Sequence, residues 1–433
     1  MKKFKYPIFF SMLIAGALFA FGQKPPKQAP RDCGTLTPIS TIRPDKDPPC
    51  SDSRFFSDVD FNAKQRLPVT VNLDISRYIG DPAALAESGF LDPIAKLRMV
   101  MKGECVGQLS EIRFNGVTVN GRTGVCPGKE WKMYEFEVPA AIINFPKEAG
   151  GTGKNTVGIN PIAGSVTGDW ISLEVKVARP ALLVHGIFSG PGTWAKWTDQ
   201  GGFLQKTGLP FNAIDLGTAE TIEANAEKIA GYVEKLKLTW NVDKITVIGH
   251  SKGAIDSRLF AENSGTVSQL IMIGAPNEGT PIAELLEEVA KNAEIEEYVK
   301  SLAPGLNQLS QKNMIEFNRK HSANPSVAYI AIGGDFSPNC KIDKTGDNGT
   351  CQMNLAMFSI VGRGDLWVPL RSVYSLSYAN NLPAITSKAD LGCQFLFRIG
   401  TDGEPCEAVH IRLLESERLF LSLKPFIGKP VSE

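Results

Sequence analysis

Residues 245–260, ITVIGHSKGAIDSRLF, constrain this chain more than any other stretch. A continuous apolar run leads straight into Gly-His-Ser-Lys-Gly, and residues at helical spacing follow. That order reads as a strand covered on both faces, a sharp turn and a helix. A serine on such a turn sits on strained backbone with its hydroxyl exposed above the sheet. Glycines two positions to either side are needed, because a side chain there would collide with the neighbouring strand and helix. Gly249, Ser251 and Gly253 have this spacing, which makes Ser251 a candidate nucleophile. G-x-S-x-G alone is a common chance match; the strand before it and the helix after it supply the context. The amide of Lys252, at the helix N-terminus, would point at an oxyanion developing beside Ser251.

The rest of the C-terminal part repeats the strand–helix alternation. Short apolar runs occur at ALLV (181–184), FNAIDL (211–216), KITVIG (244–249) and QLIMIGAP (269–276). Between them, TIEANAEKIAGYVEKLKL places Ile222, Ala226, Ile229 and Val233 on one helical face, and AIDSRLFAE reads as another helix. Such alternation predicts a parallel sheet with helices on both faces. VAYIAIGG and FSIVGR are read as extending the sheet. Residues 280–324 read as a helical insertion, with Ile282, Leu285, Leu286 and Val289 opposite Glu284, Glu287 and Glu288. It is either a cap over a pocket or an ordinary surface helix of the core.

Before Pro180 the period is two. Leu67, Val69, Val71, Leu73 and Ile75 alternate in LPVTVNLDI, as do Tyr134, Phe136 and Val138, and Ile171, Leu173, Val175 and Val177. Asn115-Gly116 reads as a hairpin turn between Ile112/Phe114 and Val117/Val119. Short alternating strands predict a small all-β sandwich over 65–179. Trp131 and Trp170 are either core and edge aromatics or part of a sugar-binding face.

A serine hydroxyl is a poor nucleophile until a base takes its proton. Only His185, His250, His321 and His410 are available among 433 residues. His250 adjoins Ser251 and points away from it. In VHG, at the end of a strand, the backbone around His185 matters more than its ring. His321 lies in the insertion. His410, in a loop before a final helix, fits the chain order Ser…Asp…His. The acid that orients the imidazole should follow a strand and precede His410. Asp365, in IVGRGDLWVPLRS, is favoured; Asp335 and Asp390 are the alternatives. The loop VHGIFSGPGTW would supply a second oxyanion amide, from Ile187 or Phe188.

The N-terminus carries Lys2, Lys3 and Lys5, then YPIFFSMLIAGALFAFG. This reads as a cleavable signal peptide over 1–22, cut near Gly22, which implies a secreted or periplasmic location. Residues 23–64, rich in proline and charge, read as a linker. Eight cysteines suggest four disulfides in an oxidising compartment, with sequential pairing: Cys33–Cys50, Cys105–Cys126, Cys340–Cys351 and Cys393–Cys406. No C-x-x-C pair suggests a metal. The zero net charge argues weakly against a nucleic-acid partner.

Taken in order, LLVHGIFSGPGTW, VIGHSKGAIDSR, LIMIGAPNEGTP and GDLWVPLRS resemble the oxyanion segment, nucleophile turn, following strand and acid loop of the bacterial triacylglycerol lipase and esterase group. The resemblance covers 180–433 and implies an α/β-hydrolase fold, with the sandwich as an addition. It implies Ser251 as nucleophile, Asp365 as acid, His410 as base, and Ile187 and Lys252 as oxyanion amides, with no cofactor or metal. The substrate would be a carboxylic ester, lipid-like because Phe188, Trp194 and Trp197 lie near the oxyanion loop. Binding beneath the insertion and contact with a membrane or lipid interface would follow. Two departures stand out. Leu366 replaces the glycine usual after the acid, and Arg412 stands where the aspartate of a calcium site is often found, so calcium is not carried over. Thioester hydrolysis, acyl transfer or polyester cleavage on the same three residues are alternatives, as is a non-catalytic cell-surface binding protein that uses its β-domain.

Overall fold

The computed structural model describes residues 54–104, 110–120, 127–217, 220–289, 304–336, 356–386 and 407–430. The signal-peptide stretch, all eight cysteines and Asp390 lie outside the described residues.

The N-terminal part is two antiparallel four-stranded sheets. One runs Arg54–Lys64, Ser165–Glu174, Ile94–Glu104, Lys132–Pro139; the other runs Val69–Ile75, Gly153–Pro161, Ser110–Phe114, Val117–Thr118. Alternation drives the packing. Val71, Leu73 and Ile75 from one sheet and Leu97, Met99 and Met101 from the other share a single apolar cluster. Asn115 and Gly116 both adopt positive φ, 47° and 84°, the conformation a two-residue hairpin turn requires. One boundary differs from the sequence reading. Residues 54–64, assigned to the linker, form an edge strand of the sandwich, with Phe61 and Ala63 buried in its core. Of the two tryptophans, Trp170 is buried, and Trp131 lies half-buried with the Lys102 ammonium 4.7 Å from its ring centre.

The C-terminal part is a parallel six-stranded sheet. Its order is Phe211–Ile214, Ala181–Val184, Ile245–His250, Val267–Ile273, Ala328–Ile332, Asn380–Asn381. The central strands are largely apolar on both faces because both faces are covered. Ala181 and Leu183 enter the cluster shared with the sandwich, whereas Leu182 and Val184 enter a second cluster under the helices Ile222–Trp240 and Lys252–Glu262. The longer of these helices starts on Thr221, whose side chain accepts from the Ala224 amide, and ends on Asn241 at φ 52°. Ile222, Ala226, Ile229 and Val233 are buried, as their spacing predicts.

The sandwich is hydrogen-bonded directly to the C-terminal part. The Tyr78 amide donates to Trp240 O and the Asp81 amide to Gly208 O, each at 3.0 Å. Sandwich residues, the C-terminal helix Glu417–Ile427, Trp194 and Trp197 together cover one face of the parallel sheet.

Two expectations need correction. The sequence predicts a strand at FSIVGR, yet 356–361 is helical; so short a run, with Phe358, Ile360 and Val361 as its apolar residues, satisfies either period. The described part of the insertion does not cap a pocket. Ala283, Leu306, Leu309, Met314 and Phe317 drive it into the helix-side core, where it buttresses the sheet.

Candidate active site

The strand Ile245–His250 ends at the centre of the sheet, and Ser251 turns the chain into the helix Lys252–Glu262. Ser251 has φ 55° and ψ −128°, a strained conformation for a non-glycine residue. The flanking glycines are sterically required. A Cβ on Gly249 would lie 2.5 Å from Ala254 Cα, and one on Gly253 would lie 2.1 Å from His185 O. The loop after the strand Ala181–Val184 runs against the same turn, for a Cβ on Gly186 would fall 2.7 Å from Ser251 Cβ. This contact brings Ile187 alongside Ser251. Among the described residues, the Ile187 and Phe188 amides donate no hydrogen bond. The Lys252 amide precedes the first intrahelical acceptor and is open for the same reason every first-turn amide is.

Asp365 and His410 come together at the C-terminal edge of the sheet. His410 Nδ1 lies 2.7 Å from Asp365 Oδ2, and Asp365 is fully buried. The other carboxylate oxygen accepts from the amides of Trp367 (3.0 Å) and Val368 (2.7 Å), so each oxygen is engaged. The His410 amide also donates to Asp365 O at 3.0 Å. Room for the pair comes from two glycines. A Cβ on Gly274 would lie 3.1 Å from the His410 ring, and one on Gly334 only 2.0 Å from Ala408 O. Sequence reading singled out neither glycine, although Gly274 directly follows Ile273 at a strand end and Gly334 lies two residues past Ile332. Asp335, the alternative acid, is engaged elsewhere, by the Arg363 guanidinium at 2.6–3.1 Å.

Leu366 takes φ 73°, the conformation for which glycine would be the usual choice after the acid. A left-handed leucine costs about 1–2 kcal/mol. Its side chain offsets that by full burial against Phe336, Ala408 and Val409, beneath the loop that carries His410.

Ser251, His250 and His410 line one cavity of about 1200 Å³. Ile187, Phe188, Phe203, Trp367 and Ile411 give it an apolar wall, and charged residues of 196–199 and 407–417 line it too. No described residue of 280–324 lines it. Trp194 and Trp197 do not face it either. Both are wholly buried, packed edge-on with ring centres 5.3 Å apart, and the Trp197 indole donates to Leu414 O. The described residues hold no hydrogen bond from Ser251 Oγ to His410; such bonds commonly tighten only when a substrate is bound.

The other histidines have distinct surroundings. Nε2 of His185 accepts from the Leu216 amide at 3.0 Å, so its Nδ1–H donates to Gly186 O at 2.9 Å. The ring therefore braces the loop that carries Ile187, which sequence reading missed. His321 pairs with Glu262 at 2.7 Å, remote in role from Ser251. Nε2 of His250 lies 3.0 Å from His410 O.

Beneath the turn lies a buried ion pair that the sequence did not disclose. Lys252 Nζ donates to both Asp256 oxygens, at 2.8 and 3.0 Å, and Asn225 donates to Oδ2 at 2.8 Å. Burial pushes the Asp256 carboxyl up to about 6, against the opposing pull of the Lys252 ammonium. Among the described residues no group of three or more His, Cys, Asp or Glu side chains is gathered as a metal site would need. No helix there is long and apolar enough to cross a membrane.

No family model matches this chain. Bacterial triacylglycerol lipases are distant homologues. Those of Pseudarthrobacter phenanthrenivorans and Burkholderia plantarii are each 27% identical to it over 120 residues, or 26% of this chain. The matched region spans only 37% and 33% of those relatives' lengths. Among solved structures, the mature Bacillus licheniformis lipase BlEst2 aligns at 18% identity and a TM-score of 0.44, covering 58% of this chain and 92% of that one. Staphylococcus hyicus lipase aligns at 16% identity and a TM-score of 0.38, covering 58% and 95%.

Proposed function

We propose that this chain is an exported serine hydrolase that cleaves carboxylic esters with a substantial apolar part. The observation that carries the reading is the buried Asp365–His410 pair opening, together with strained Ser251, onto one cavity with an apolar wall. Ser251 Oγ attacks the ester carbonyl while Nε2 of His410 takes its proton. Asp365 holds the Nδ1–H tautomer and stabilises the imidazolium. The amides of Ile187 and Lys252 receive the oxyanion; losing one such donor typically costs about 3–4 kcal/mol in the barrier. Collapse expels the alcohol, which takes the proton from His410. Water, deprotonated by His410, then releases the acid and frees Ser251. The apolar wall favours lipid-like acyl or alcohol groups, with Phe188 and Trp367 in the part expected of Trp194 and Trp197. The basic, then apolar N-terminus and the even cysteine count support a secreted or periplasmic location.

Hydrolysis of p-nitrophenyl esters from acetyl to palmitoyl, by the wild type and by Ser251→Ala, tests the reading. Turnover that extends to the longer acyl chains and falls on the order of 10⁴–10⁶-fold in the variant is the expected result. Equal rates in the two proteins would overturn it.

A further inference from the structure

His410 sits in a segment with little regular structure to hold it: 407–412 form turns, and no strand runs through them. Its place must therefore be fixed by individual contacts, and three of them act on its main chain and ring. The amide donates to Asp365 O, Nδ1 faces Asp365 Oδ2, and the carbonyl oxygen faces Nε2 of His250 at 3.0 Å. A carbonyl can only accept, so His250 carries its proton on Nε2 and donates it. That leaves Nδ1 of His250 with a lone pair and, among the described residues, no hydrogen-bond partner. The two imidazoles pack with ring centres 4.7 Å apart and 37° between planes. His250 is 3% exposed, and it belongs to the strand directly before Ser251.

We propose that His250 is a positioning residue: its Nε2–H···O=C bond and ring contact tie the loop of His410 to the turn that carries Ser251. The ring acts on His410, not on substrate. Its uncharged state suits that place. Burial, and next the nearby His410, hold it well below the ordinary imidazole range, so no second cation opposes the imidazolium that would form on His410. An ordinary buried histidine would satisfy its donor anywhere. This one joins two segments 160 residues apart, each carrying one partner of the proposed proton transfer. The inference rests on the reading of Ser251 and His410 given above.

The test compares His250→Phe, which keeps the ring and loses the donor, with His250→Gln, whose amide reaches as far as Nε2, and His250→Asn, whose amide does not. In the full-length protein, kcat should fall about 10–100-fold in His250→Phe and His250→Asn with KM nearly unchanged, since a misplaced base slows proton transfer and leaves ester binding alone. His250→Gln should recover to within about 5-fold of wild type. A second readout needs no turnover: the low-field NMR signal of the proton between His410 Nδ1 and Asp365. It should persist in His250→Gln and broaden or move upfield in His250→Phe. Wild-type kcat and an unchanged signal in His250→Phe would overturn the proposal, as would His250→Gln being as impaired as His250→Asn. If only the glutamine and asparagine variants fold, their contrast alone decides. A wild type that hydrolyses no ester would sink the enzymatic reading, while the NMR comparison would still report on the tie to His410.

Discussion

Phe188, Ser251 and Leu366 all hold positive φ beside the proposed chemistry, and the turns of Ser251 and Leu366 do so by opposite means. At the Ser251 turn, strain at one residue is made possible by glycines two positions away on either side, where the strand, the helix and the His185 carbonyl leave no room for a Cβ. At the Asp365 turn, Leu366 itself takes φ 73° where the lipase motif it resembles has glycine, and the whole side chain is used as core. The first turn is rigid because nothing larger fits. The second is rigid because something large is anchored. The contrast teaches that one backbone conformation can rest on steric exclusion or on burial, and the two fail differently under mutation.

Gly253→Ala should have the largest effect. Its Cβ would meet a backbone carbonyl at 2.1 Å, which no side-chain adjustment relieves. The variant should be insoluble or devoid of activity, as judged by expression and circular dichroism. A folded, active Gly253→Ala would show the Ser251 turn to be far softer than described.

Lys252→Met comes next. It leaves the buried Asp256 carboxylate without its cation and should cost about 3–5 kcal/mol in denaturant unfolding. Lys252→Met/Asp256→Leu should recover much of that loss, because no charge is then left buried. A double variant no better than the single one would mean that the pair itself shapes the turn.

At the second turn, Leu366→Gly relieves strain of about 1–2 kcal/mol and empties a buried site worth about 3–5 kcal/mol. The net loss should be about 1–4 kcal/mol of stability, with ester kcat within a few-fold of wild type, since the backbone path suits glycine. A stabilised variant would mean the leucine is strained without compensating contacts.

These two turns also show what could be read from the chain beforehand. Ser251 and its glycines were legible because the turn's sterics restrict residue type at three fixed positions. Asp365 was legible from its motif, although the strand assigned before it is a helix; short apolar runs carry no decisive period. The strand 54–64 was hidden by the proline-rich, charged residues before it. Lys252 and Asp256 stand four apart on a helix, yet nothing local says that both are buried, and lysine ordinarily is not. Trp194 and Trp197 looked like pocket residues by proximity to the oxyanion loop, and long-range packing against Phe420 takes Trp197 inward. The insertion's amphipathic stripe showed that it packs somewhere; only the tertiary structure shows that its described part packs on the core.

The smallest effect is one of pH. An unfolded His250 takes up a proton near 6.5, whereas the folded ring resists it. The unfolded chain then binds more protons, so stability contributed by this group is present above about 6.5 and is lost as pH falls below it. Urea unfolding at successive pH values should show a shallower acid-side slope in His250→Gln, by up to one proton. Identical slopes would mean that His250 titrates alike in both states.

The central claim is that Ser251 is the nucleophile served by His410. Its most direct test is peptide mapping of the protein after reaction with a fluorophosphonate, alongside Ser251→Ala and His410→Ala. The account predicts a single adduct on Ser251, absent from the first variant and formed far more slowly in the second. An adduct on another residue, or none on the folded wild-type protein, would contradict it.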